Sequence, residues 1–271
     1  MNIILKENEW AEKMIQDRSL GKKPYQTLYR VARYYLDSGY SKTEVRKRLD
    51  IFLIQCDPSA SLTTWSETLD NALKRALKYG AIDIQSIIIT KPEMDRIDSI
   101  GGRQLRRLAF TLLCLAKYWY AVSPVTDYWV KNRDNEIMAM ANINTSIKRQ
   151  CAMFGALKEL GVLRFSKRID NTNVRVCFAE EGETALEITD FRNLGYQYLK
   201  YVGEPYFECV NCGITVKYNN PQKGRKQKYC KACAEEIDLQ HRINSVLRKR
   251  NSAKKVHSVE FSDIHKSTVT Q

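Results

Sequence analysis

Apolar residues recur along the first third of the chain with the period of helices. In "PYQTLYRVARYYLDSGY", Leu28, Val31, Ala32, Tyr35 and Leu36 share one face at i, i+3, i+4 spacing, and Ser38-Gly39 ends the run. "SKTEVRKRLDIFLIQ" opens with Ser41 and Glu44 in capping-box spacing. "TTWSETLDNALKRALKYG" repeats that spacing at Thr64 and Glu67 and stops at Gly80. Three or four packed helices are expected. The basic row Arg46, Lys47, Arg48 reads as a solvated helix face.

The pattern then changes. "AIDIQSIIIT" is β-branched and predicts a short strand. Thr90, Pro92 and Glu93 form another helix start, and the polar stretch "KPEMDRIDSIGG" is the expected link to a second domain. The most apolar run, 108–122, is interrupted by Lys117 and is too short for a membrane span, so a buried helix is expected over 103–122. In the middle of the chain a short helix over 136–141 is broken by "NIN". A longer one over 145–160 is capped by Asn144 and ended by Gly161, and strands at 162–169 and 174–178 flank the turn "DNTN". After these, "EEGETALEITDFRNLGYQYLKYVG" predicts a strand and an aromatic-rich helix capped by Asp190.

The order of helix, helix, turn, helix and hairpin over residues 103–179 resembles the winged helix-turn-helix, whose second turn helix enters the major groove of DNA. On the helix from 145, periodicity turns Ile147, Cys151, Phe154 and Leu157 inward. It leaves Thr145, Ser146, Lys148 and Arg149 near the N-terminal end for base edges, with Ala152 on the same side. Arg164, Lys167, Arg168 and Arg175 supply wing cations for flanking phosphates.

Charge reinforces this picture. Forty-four Lys and Arg against 31 Asp and Glu give a formal net charge of +13, which favours a polyanionic partner. Between Pro205 and His257, twelve cations oppose four carboxylates, so about a fifth of the chain carries +8.

The same region holds "ECVNCGITVKYNNPQKGRKQKYCKACAEE". Cys209, Cys212, Cys230 and Cys233 follow C-x2-C-x17-C-x2-C, the spacing of a four-cysteine zinc site. Each C-x-x-C turn offers two sulfurs to adjacent tetrahedral corners, and Gly213 suits a tight knuckle. Four thiolates close the shell of one Zn²⁺, so the ion is expected to be structural. A redox pair needs one C-x-x-C inside an α/β pattern, and iron–sulfur sites use more clustered spacing. Because the second pair opens a helix, the segment resembles a treble-clef finger, with a zinc ribbon as the alternative. Its basic loop and helix also resemble small four-cysteine fingers of phage and mobile-element proteins. Cys56, Cys114, Cys151 and Cys177 lie singly on apolar faces and are expected in the core. The finger brings Lys217, Lys223, Arg225, Lys226 and Lys228 in its loop, then Arg242, Arg248, Lys249 and Arg250 along its helix, to a phosphate-binding surface.

The expected fold class is therefore mainly α. A helical N-terminal domain (1–90) is followed by a winged-helix domain (91–190), a connector and four-cysteine zinc finger with basic helix (191–257) and a flexible tail (258–271). Three histidines, all C-terminal, and the lack of a phosphate-cradling glycine motif argue against an enzyme. A cytoplasmic protein binding double-stranded DNA is the expectation, with self-association or a protein partner through the N-terminal helices and no membrane partner. The alternatives are an adaptor or inhibitor docking on a larger nucleoprotein machine, and an RNA or single-strand binder using aromatics such as Tyr218 or Tyr229.

Overall fold

A computed structural model describes residues 3–167, 173–219 and 227–266, and side chains up to Arg248. The fold is mainly α, and its contacts divide it into two compact units, Met1–Tyr201 and Val202–Gln271.

In the first unit, α1 (Glu7–Gln16), α2 (Pro24–Asp37), α3 (Lys42–Cys56) and α4 (Leu62–Lys78) enclose one apolar core. The α2 face read from periodicity is its centre: Leu28, Val31, Ala32 and Tyr35 are buried against Val45, Leu49, Phe52, Leu69 and Ala72. The Ser41–Glu44 capping box forms as expected. At α4 the cap is Ser61, which accepts from Thr64 N, rather than Thr64 itself; the helix simply begins one turn earlier than its apolar stripe. Two members of the basic row on α3 are engaged. Arg46 pairs with Asp50 and with Asp70 (2.7 Å), and Arg48 lies 3.8 Å over the Tyr40 ring.

β1 (Ile87–Thr90) leads straight into α5 (Lys91–Asp98) through a Thr90–Glu93 capping box, so most of the polar stretch is helical. Glu93 is 0% exposed. Its carboxylate accepts from Thr90 N (2.8 Å), Glu180 N (2.9 Å) and Lys117 Nζ (2.7 Å), which ties three segments to one buried charge. β1 pairs antiparallel with β5 (Thr184–Ile188), Ile87 opposite Ile188, and so closes a long connection.

α6 (Arg103–Val122) is the axis of what lies between. All residues from Leu108 to Ala116 are buried, because neighbours cover the helix on every side. It is followed by β2 (Trp129–Val130), α7 (Asp134–Met140), α8 (Ile147–Glu159), β3 (Leu163–Phe165) and β4 (Val174–Val176). The three strands form one antiparallel sheet in the order β2-β4-β3, with Leu163 opposite Val176 and Trp129 opposite Arg175. The hairpin strands are shorter than expected, and Arg168 and the turn lie outside the described residues.

The "NIN" break between α7 and α8 is a built corner. Asn142 adopts φ +55° and its side chain donates to Asn193 Oδ1 (2.9 Å) while accepting from Tyr196 N (3.2 Å). Arg107 donates to its carbonyl (3.2 Å). Asn193 and Tyr196 flank or belong to α9 (Leu194–Tyr201), which also sets Tyr198 against Phe110 at 5.5 Å. Gly195 makes this approach feasible: a Cβ there would stand 2.0 Å from Ala141 O. Asp190 does not cap α9. It holds a preceding turn by accepting from Arg192 N (2.8 Å), and the helix starts at Leu194.

The second unit consists of a hairpin, β6 (Tyr206–Glu208) with β7 (Thr215–Lys217), and the 36-residue α10 (Lys231–Lys266). No helix among the described residues is long and apolar enough to cross a membrane.

Candidate metal centre and nucleic-acid surface

Cys209 follows β6, and the chain turns back at once through Gly213, whose φ of +73° only glycine adopts without strain. Gly213 N donates to Cys209 O (2.8 Å) and Cys209 N to Ile214 O (3.0 Å), which fixes the knuckle. Val210 N donates to Lys228 O (3.0 Å) and so draws the second cysteine pair alongside the first. Cys230 immediately precedes α10 and Cys233 lies in its first turn. The two pairs thus sit on unlike elements, a knuckle and a helix start.

All four sulfurs lie within 4.8 Å of one another, and Cys212 Sγ is 3.8 Å from Cys230 Sγ. Tetrahedral thiolates at about 2.3 Å from zinc would stand about 3.8 Å apart, so donor type and spacing both suit a soft divalent metal ion. Cys209, Cys230 and Cys233 are buried, with Ile214, Val216 and Tyr229 packed around them.

The thiols differ in acidity. Burial opposes ionisation at Cys209, but backbone N–H groups of Cys230, Cys212 and Asn211 outweigh it and lower the thiol to about 6. At Cys233 a hydrogen bond from Asn211 lowers the pKa, yet the neighbouring Cys230 and Cys212 outweigh it and push the thiol up to about 12. Such a cluster gives up its first proton readily and its last only when a cation offsets the accumulating charge.

The basic residues fall into several environments. On α8, Lys148 and Arg149 are exposed, and Arg149 also donates to Gln104 Oε1 (3.2 Å). The helix starts at Ile147, later than expected, with Ser146 rather than Asn144 at the cap position; Thr145 is half-buried just before it. Its inward face is Met153, Phe154 and Leu157. Ile147, expected inside, is 78% exposed, and Cys151 and Ala152 are exposed with it. The helix meets the core only from Met153 onward. Cys177 is exposed as well, so of the four isolated cysteines Cys114 is buried and Cys56 half-buried.

Arg164 and Lys167 are exposed on the hairpin. Arg175 stands directly opposite Arg164 across the strands, a like-charge pair that costs stability unless relieved. Asp127 relieves it, accepting from Arg175 Nε and Nη2 at 2.9 Å each, and these bonds hold the Asp127 carboxyl below the usual range. In the second unit Lys217 and Lys228 are on the surface, as are Arg242 and Arg248 on α10. Lys223, Arg225 and Lys226 lie outside the described residues, as do the side chains of Lys249 and Arg250.

Two features leave no mark in the sequence. β2 is only two residues long and follows Asp127 and Tyr128, both at positive φ, so no strand-length pattern announces it. Tyr120 and Tyr128 stack at 4.5 Å beside it, a contact across a loop that no periodicity reveals. No protein-family model, curated protein or solved structure matches the chain.

Proposed function

We propose that the chain is a zinc-containing protein that binds double-stranded DNA, with α8 in the major groove and the hairpin and finger on phosphates. The observation that carries this reading is the arrangement of residues 103–176. A helix–turn–helix is backed by a three-stranded sheet whose first strand lies between the leading helix and the turn, the order found in winged helices. The outer face of α8 presents Lys148 and Arg149 near its N-terminal end, where a recognition helix meets base edges. Arg164 and Lys167 extend the positive surface along the hairpin. Arg175 also supports that wing through its pair with Asp127.

In the finger, one Zn²⁺ on Cys209, Cys212, Cys230 and Cys233 fixes a knuckle to a helix start, the plan of a treble clef. It performs no chemistry on a substrate, since four thiolates fill its shell. Its effect is to hold Lys217 and Lys228 on a rigid platform at the foot of a basic helix. A regulator or replication accessory of a phage or mobile element is the biological setting this combination suggests. The chain acts as a binder, without a catalytic step.

Selecting preferred duplexes from a random pool with the wild-type protein tests the proposal. Arg149→Ala is expected to relax the preference at one or two positions, at a cost of about 1–3 kcal/mol for the preferred base. Lys228→Ala should weaken all duplexes alike and lower the salt slope by about one. Unchanged selectivity in Arg149→Ala contradicts the reading of α8.

A second reading rests on Ile147. A large apolar side chain exposed at the head of α8, together with exposed Leu239, Ile243 and Val246 on α10, is also what a protein-docking adaptor would offer. Ile147→Ser would then abolish partner capture and leave DNA affinity untouched.

A further inference from the structure

A cleft of about 650 Å³ opens in the first unit between the N-terminal helices, the segment 79–84 and the C-terminal end of α6. Its size falls within the range of small-molecule sites, about 300–1,000 Å³. Four cations line it, Arg30, Arg33, Arg75 and Lys78, against two carboxylates, Glu7 and Asp83, an excess of two positive charges.

The acids do not quench the site. Glu7 is buried and saturated, accepting from Arg30 Nε (3.3 Å), Arg33 Nη1 (2.8 Å) and Ile82 N (3.2 Å). Asp83 accepts from Gln85 Nε2 (3.3 Å). Arg33 is only 5% exposed, yet its Nε has no hydrogen-bond partner among the described residues. A buried N–H of a guanidinium without an acceptor is costly unless something enters to meet it. The Tyr29 ring holds two of the guanidinium groups in place, with Arg33 at 5.0 Å and Arg75 at 4.8 Å. The Tyr25 and Tyr29 hydroxyls beside Arg75 accept from its guanidinium and raise its pKa further. Trp119 and Tyr79 add flat apolar wall.

We propose that this cleft binds a phosphate-bearing small molecule of nucleotide size, its phosphate met by Arg33, Arg75 and Lys78 and its planar part lying against Trp119. A phosphate monoester dianion matches the excess of two charges, and guanidinium forks favour the bidentate geometry that phosphate offers. The ligand would touch both the N-terminal helices and α6, the helix around which the proposed DNA-reading segment is built, so its binding would stiffen their junction. The inference stands on the cleft alone and is independent of duplex binding.

Titration calorimetry and thermal melting of the full chain with AMP, ATP, inorganic phosphate and acetate test it. AMP or ATP is expected to bind with one-to-one stoichiometry and to raise Tm, phosphate to bind at least tenfold more weakly, and acetate not at all. Arg75→Gln and Lys78→Gln change exposed side chains, so the fold should survive, and each should weaken nucleotide binding tenfold or more. Absence of binding below millimolar concentration overturns the proposal. So does binding that survives both substitutions, which would place the nucleotide on the basic finger. Equal affinity for phosphate and AMP overturns the role of the apolar wall.

Discussion

At the scale of single residues, the structure turns on a few buried charges and thiols. Glu93 is fully buried and satisfied by two backbone N–H groups and Lys117. Glu93→Ala would leave that lysine and both donors without their carboxylate, and such losses cost about 3–5 kcal/mol. Denaturant melts of the variant should show this drop, whereas a change within about 1 kcal/mol would mean that water replaces the carboxylate. Cys209 responds to pH in the opposite sense to a cation. Because Cys209 is depressed to about 6, its ionisation favours the folded finger above the unfolded thiol value of about 9, and that contribution disappears as pH falls through 6. Metal binding requires all four thiolates and follows the same direction, so metal content should be one ion per chain near neutral pH and fall steeply toward about pH 5. Cys230→Ser should lower the retained metal at every pH. Metal that persists in this variant would place the ion elsewhere.

At the scale of elements, legibility followed the range of the interaction that shapes each one. α2 is legible from periodicity and α6 from its unbroken apolar run, because their burial follows the helix itself, and the Ser41–Glu44 and Thr90–Glu93 caps because they are local in sequence. The cysteine spacing foretold the cluster for the same reason. The head of α8 departs from its pattern: a strict i, i+4 spacing turns Ile147 and Cys151 inward, but both are exposed and the helix is buried only from Met153 onward. β2 was invisible, since two residues carry no pattern and their partner strand, β4, lies far along the chain. The α7–α8 corner depends on Asn142 meeting the Asn193–Gly195 segment, 51 residues further along the chain. Gly195→Ala would drive a Cβ into Ala141 O and push α9 off that corner. A loss of stability is expected in thermal melts, with weaker duplex binding as α8 loses its seat. A neutral substitution would show that the corner adjusts.

At the scale of the whole molecule, electrostatics dominates. A formal charge of +13 would make almost any such chain adhere to nucleic acid, so affinity alone distinguishes nothing. What separates a DNA reader from a polycation is the part of binding that survives salt. On the proposed reading, α8 and the hairpin would give a shaped surface for a duplex, while the second unit would give mainly charge. The most direct measurement is therefore a binding titration of the zinc-loaded protein against matched duplex DNA, single-stranded DNA and RNA, repeated from low to physiological ionic strength. The proposed function predicts that duplex binds most tightly and that its advantage persists as salt rises. Equal binding of all three, lost together with added salt, would contradict it and leave the basic surface as a polyelectrolyte.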